Sequence, residues 1–140
     1  MPNYLVYKSG QASVGQYQMS AIPYMTASVT VAALGSAPLE VSFPRVSKFV
    51  TVRNIIPTSS ADRTLRVGFS SIGTSGSVPG NTNYFTLANG ESYTGDWRVT
   101  SVFLLCDTVN LSSASIIAGL TAISTSSLGF DNWSGSLGVG

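Results

Sequence analysis

The stretch Leu65–Phe85, LRVGFSSIGTSGSVPGNTNYF, decides how this chain is read. Leu65, Val67 and Phe69 alternate with Thr64, Arg66 and Gly68, the period-two signature of a strand with one face in a core. Small, turn-prone residues then run from Ser70 to Asn83, and Tyr84-Phe85 opens a second apolar segment. A glycine-rich loop after a strand can cradle phosphate, shape a catalytic turn, or join two strands. Cradling phosphate requires Lys-Ser/Thr at a helix start, so that backbone amides and the ammonium converge. No lysine follows Lys48, and Gly73, Gly76 and Gly80 do not fit the dinucleotide spacing. The loop is expected to be an exposed connector at one end of a β domain, recognising at most a surface.

The β pattern extends in both directions. Thr26–Leu34 and Pro38–Phe43 are short runs separated by the turn residues GSAP, and Pro44 interrupts the pairing. In Val46–Asn54, Val46, Val50 and Val52 occupy one face and Ser47, Thr51 and Arg53 the other, while Lys48 and Phe49 cross the pattern. Pro57–Asp62 reads as a turn. Tyr84–Leu87 ends at Ala88-Asn89-Gly90, a strong hairpin signal because Asn and Gly tolerate positive φ. Glu91–Trp97 and Arg98–Leu105 read as one long strand bent near Gly95. Val102–Leu105 and Ala114–Ile123 are apolar on both faces, as in central strands. About eight strands and no amphipathic helix imply an all-β fold: a single antiparallel β-sandwich, jelly-roll or related Greek key. The expected organisation is an arm or irregular lead-in over residues 1–24, a sandwich over 25–123, and a Gly/Ser-rich tail over 124–140 that Phe130 and Trp133 would anchor.

Composition narrows the chemistry. The chain has 140 residues, enough for one domain that buries roughly 70% of its unfolded surface. Only 9% of residues are charged, and 23 Ser and 13 Thr take their place. The net charge of +1 supplies no field to draw in nucleic acid or an anionic membrane. No run of 18 apolar residues suggests a membrane span, and the first residues lack the pattern of a charged leader and apolar core. Such a weakly charged, hydroxyl-rich exterior suits packing against neighbours.

There is no histidine, so the commonest general base and metal ligand is missing. Cys106, the single cysteine, lies in SVFLLC and reads as a buried thiol. No Gly-x-Ser-x-Gly elbow occurs, and Lys48 next to Ser47 points to the opposite face of its strand. Glu91 and Asp96 flank a hairpin carrying Tyr93 and Trp97, where turn-proximal acids are the simpler account than a carboxylate pair. Arg45, Lys48, Arg53, Arg63 and Arg66 interleave with core positions and read as outer-face residues or as ion-pair partners of a neighbouring subunit. The sequons at Asn110 and Asn132 read as coincidences of a serine-rich chain. No enzyme activity, catalytic residue, metal or cofactor is therefore expected. The candidate recognition residues are the aromatics Tyr84, Phe85, Tyr93 and Trp97, which would also suit a carbohydrate-binding or adhesion module.

Read in series, FPRVSKFVTVRN, LRVGFSSIG, NYFTLANGES, WRVTSVFLL and ASIIAGLTAI, spanning Phe43–Ile123, carry a resemblance. The series is similar to the small jelly-roll capsid components of large icosahedral DNA viruses and to short decoration proteins of phage virions. The resemblance implies a structural virion protein, a minor capsid component of penton (vertex) or cement type. It further implies self-association, as a pentamer at a vertex, with terminal arms reaching neighbouring capsid proteins. The implied location is the virion capsid, assembled inside the host cell, with no small-molecule substrate.

Overall fold

Alternating strands bury one face each, so eight of them reach a dry core by stacking as two sheets. The computed structural model describes residues 21–55 and 63–127. Its strands are β1 (Ile22–Val31), β2 (Leu39–Ser42), β3 (Ser47–Ile55), β4 (Leu65–Gly68), β5 (Tyr84–Leu87), β6 (Ser92–Gly95), β7 (Ser101–Cys106) and β8 (Ser112–Leu120). A single helical turn, α1 (Ser71–Ser75), lies between β4 and β5, and a 3-10 turn spans Thr125–Ser127. The first sheet has the order β1-β8-β3-β6 and the second β2-β7-β4-β5. All pairings are antiparallel. Every connection except β4–β5 crosses from one sheet to the other, and the first and last strands are neighbours. That is the strand order of a jelly roll.

Register explains which residues fill the core. Val50 and Val52 pair with Ala118 and Ile116, and on the second sheet Leu65 and Val67 pair with Cys106 and Leu104. Both sets point between the sheets, where they pack with Val31, Val41, Phe43, Val102 and Leu120. The Cys106 thiol is buried among them, as its apolar surroundings imply. Tyr24 from β1 meets the Phe43 ring edge-on, with centroids 5.2 Å apart.

Several boundaries and faces differ from the expectation, each for a local reason. β1 begins at Ile22, inside the segment read as a lead-in, because Ile22, Pro23 and Tyr24 pair with Leu120, Gly119 and Ala118 of β8. Ser47 was expected to face outward but is buried. A register shift between Ser47 and Phe49 turns it inward, which is also why Lys48 and Phe49 cross the alternation. Once inside, its Oγ donates to the Trp97 carbonyl at 2.5 Å and accepts from the Val99 amide at 3.1 Å. Those two bonds hold the chain between β6 and β7 as it crosses the sandwich. The expected single bent strand over Glu91–Leu105 is therefore two strands in opposite sheets.

The Asn89-Gly90 turn forms, with Gly90 at φ +74 and the Glu91 amide donating to the Ala88 carbonyl at 3.0 Å. The strands it joins, β5 and β6, lie in different sheets, so the turn makes a crossing and not a hairpin ladder. The expected turn at Pro57–Asp62, most of both terminal segments, and the anchors Phe130 and Trp133 lie outside the described residues.

Candidate functional site

The loop after β4 is more ordered in its chemistry than a plain connector. Ser70 caps α1, its Oγ accepting from the Gly73 amide at 3.0 Å, and Gly76 closes the turn in the left-handed conformation at φ +63. Thr74 is fully buried against Gly68, where any side chain would collide with its hydroxyl. The turn lies on the outer face of the second sheet, against β4 and β7. Leu105, which shares that outer face with Arg66, is buried as a result. This explains why β7 is apolar on both faces: one packs in the core and the other lies under the loop. The expected exposed connector is thus partly a cover for its own sheet. The signal that marks it is Ser70 placed three residues before Gly73, with Gly76 beyond; five residues are too few for a periodic apolar stripe.

Arg66 fastens this cover. Its Nε and Nη2 reach Asp107 Oδ1 at 2.6 and 2.5 Å, and its Nη1 donates to the Ser75 carbonyl at 2.9 Å. The guanidinium lies 4.4 Å from the centroid of the Tyr84 ring, in cation–π geometry. Arg66 is therefore committed within the chain, and Tyr84 faces outward on β5, under the arginine and apart from the other candidate aromatics. A shallow depression nearby, between Gly35–Pro38 and Ser71, Ile72, Ser75, Ser77 and Leu105, offers hydroxyls and backbone but no ionisable side chain.

The remaining three aromatics do converge. β5 and β6 are edge strands of opposite sheets, and Phe85 and Tyr93 both point between them, opposite Val67 and Val52. Trp97 folds back over Gly95, where a Cβ would lie inside the indole ring. Tyr93 and Trp97 stack with centroids 5.6 Å apart at 21°, Phe85 tilts against both, and Phe69 meets Trp97 edge-on at 4.8 Å. The cluster closes the open edge of the sandwich at this side. Tyr93 remains 51% exposed and is the one ring of the four candidates with a large face toward solvent.

The nearby acids have other work or stand apart. Glu91 Oε2 accepts from the Ala88 amide at 2.7 Å and so braces its own turn. Asp96 is exposed beside Trp97. Among the described residues no group of three or more His, Cys, Asp or Glu gathers to hold a metal ion, and no helix is long and apolar enough to cross a membrane.

The outer face of the first sheet is signalled in the sequence only where Lys48 and Phe49 cross the alternation, a sign that both faces of that strand meet something. Met25, Ile117, Thr51 and Thr94 form one row across all four strands, with the Thr51 and Thr94 hydroxyls 2.8 Å apart. Met25 is 70% exposed and Ile117 43%. A parallel row runs Pro23, Gly119, Phe49, and the absence of a side chain at Gly119 lets the Phe49 ring lie flat on the sheet. A second, smaller apolar group of Leu34, Val109 and Leu111 occupies loops at the β1–β2 and β7–β8 end. The alternation that reveals core residues is silent about outward ones, and only the register that aligns four distant strands assembles these rows. Comparison of the chain with protein-family models and with curated proteins finds no match.

Proposed function

We propose that this chain is a structural virion protein, a minor capsid component of vertex or cement type that self-associates and docks on neighbouring capsid proteins. The observation that carries the reading is the strand order β1-β8-β3-β6 over β2-β7-β4-β5, which agrees with the jelly-roll fold that the quoted phrases imply. A low-charge exterior supports it further, with an apolar sheet face that nothing covers among the described residues, since such a face gains stability by burial against a neighbour. In this role the protein works by adding interface area between subunits, not by turning over a substrate. The test is mass spectrometry of purified particles together with light scattering of the purified full chain. Presence in the particle and concentration-dependent association are expected; a chain that stays monomeric and is missing from particles refutes the reading.

The alternative, a carbohydrate-binding or adhesion module, rests on the exposed ring of Tyr93 stacked on Trp97. It predicts glycan-array binding that Tyr93→Ala abolishes while the fold persists. A blank array with the wild-type chain removes it.

A further inference from the structure

The two sheets treat their outer faces differently. The second sheet is covered by α1 and its flanking loop, fastened by Arg66. Among the described residues nothing covers the outer face of the first sheet, although its centre carries Met25, Ile117 and the flattened Phe49 ring. Arg53 is the one charged residue at the outward positions of the registered pairs, and Lys48 sits in the register shift at the margin. The free edge of β1 is less suited to pairing than this face, because Pro23 and a register shift between Thr26 and Val29 interrupt it.

We propose that the outer face of the first sheet is a homotypic contact, on which a second copy of this chain packs face to face about a two-fold axis through the Met25–Ile117–Thr51–Thr94 row. Area and charge both select this occupant. Three strands of about nine residues and one of four, at about 4.8 Å spacing and 3.4 Å rise, make a face of roughly 500 Å² in projection. Side-chain relief raises the accessible area toward the roughly 800 Å² per partner of a standard interface.

A two-fold axis perpendicular to the strands sets Met25 against Met25 and Ile117 against Ile117, apolar on apolar. Arg53 lies two residues from Thr51 along β3, so the two guanidinium-bearing positions stand about 14 Å apart, beyond a Debye length of about 8 Å. With Arg53 the one charge at the described outward positions and Lys48 at the margin, the face carries no acidic pattern that would prefer a differently charged partner. Such an isologous contact is separate from the head-to-tail contacts that close a ring, so it adds to either a pentamer or a cement assembly.

The proposal rests on the self-association part of the functional reading, and the experiment separates the two. Sedimentation velocity of the full chain is run from low micromolar to near-millimolar concentration, for wild type, Ile117→Asp, Thr51→Cys and the control Val109→Asp. Wild type and Val109→Asp are expected to dimerise alike, and Ile117→Asp to weaken dimerisation roughly tenfold or more through lost apolar burial. Thr51→Cys, lying on the axis about 10 Å from its copy at the usual spacing of stacked sheets, is too far for a disulfide but is expected to be bridged between chains by a short bismaleimide, with buried Cys106 taking no part. Circular dichroism checks that Ile117→Asp folds; if it does not, cross-linking at position 51 decides alone. Association that survives Ile117→Asp, with no cross-link at position 51, overturns this surface and leaves self-association standing. A wild-type chain that is monomeric throughout overturns both.

Discussion

Replacing Asn54 with alanine tests how this sandwich holds its loops. Asn54 is fully buried at the end of β3, and its Nδ2 donates to the Arg63 carbonyl at 2.7 Å and the Leu87 carbonyl at 3.1 Å. Its Oδ1 accepts from Ser112 Oγ at 3.3 Å, so one side chain ties the approaches to β4, the end of β5 and the start of β8. Its backbone also brackets the next turn, the amide donating to Glu91 and the carbonyl accepting from Gly90. Losing three side-chain hydrogen bonds costs about 3 kcal/mol, and leaving the buried Leu87 carbonyl and Ser112 hydroxyl unpaired adds at least about 1 more. The expected loss is about 4 kcal/mol, a large part of the roughly 5–15 kcal/mol that stabilises a domain. With an m-value of about 2 kcal/mol per molar, the urea midpoint falls by about 2 M.

Asn54→Asp sharpens the same test. It keeps the acceptor toward Ser112 but faces two carbonyl oxygens with a buried carboxylate, which favours the protonated form in the folded state. The folded chain then binds a proton that the unfolded chain releases, so the variant loses stability as pH rises through the carboxylate range and regains it on acidification. Equilibrium urea unfolding followed by tryptophan fluorescence measures both variants. A midpoint shift for Asn54→Ala below about 0.5 M would refute the claim that this residue joins the loops.

Gly95→Ala is expected to push the Trp97 indole off the sheet, costing about 2 kcal/mol and shifting its emission to the red; unchanged emission and stability would show that the close approach carries no weight. Arg66→Met should destabilise more than Asp107→Asn, because the arginine also holds the Ser75 carbonyl and covers Tyr84. Hydrogen exchange should report that difference as faster opening at Gly73, Thr74 and Gly76, and equal protection in both variants counts against the fastening role. Cys106 should react with a thiol reagent far more slowly in buffer than in urea, and equal rates would contradict its burial.

The core was legible in the sequence wherever alternation was regular. Leu65 and Val67, Val50 and Val52, and Val102 and Leu104 lie where period two puts them, because a one-residue slip would expose every one of them. What stayed hidden depended on contacts between distant segments. Ser47 reads as a surface residue until a register shift turns it toward Trp97 and Val99, fifty residues away. The Asn89-Gly90 pair announces a turn, but nothing in four local residues says whether the next strand joins the same sheet or crosses to the other. Of the candidate aromatics, Phe85, Tyr93 and Trp97 were brought together as alternation and proximity suggest, while Tyr84, one residue from Phe85, was sent to the opposite face to meet Arg66. The rows on the outer face of the first sheet join residues from 23 to 119, and a reading along the chain has no means of aligning them.

The position of β8 between β1 and β3 has a consequence for how the chain reaches this state. The strand that completes the first sheet is the last of the eight to leave the ribosome. Until it emerges, β1 and β3 have no ladder partner in common, and β3 can pair only with four-residue β6. Nascent chains therefore carry two long strands with open edges for most of their synthesis, uncharged β1 and a β3 charged only at Lys48 and Arg53, the condition under which strands from different chains find one another. Sequence-distant pairing of this kind also slows folding after release. Truncation anywhere before Leu120 should thus produce aggregate in place of a smaller domain, and the last strand acts as the release signal for solubility.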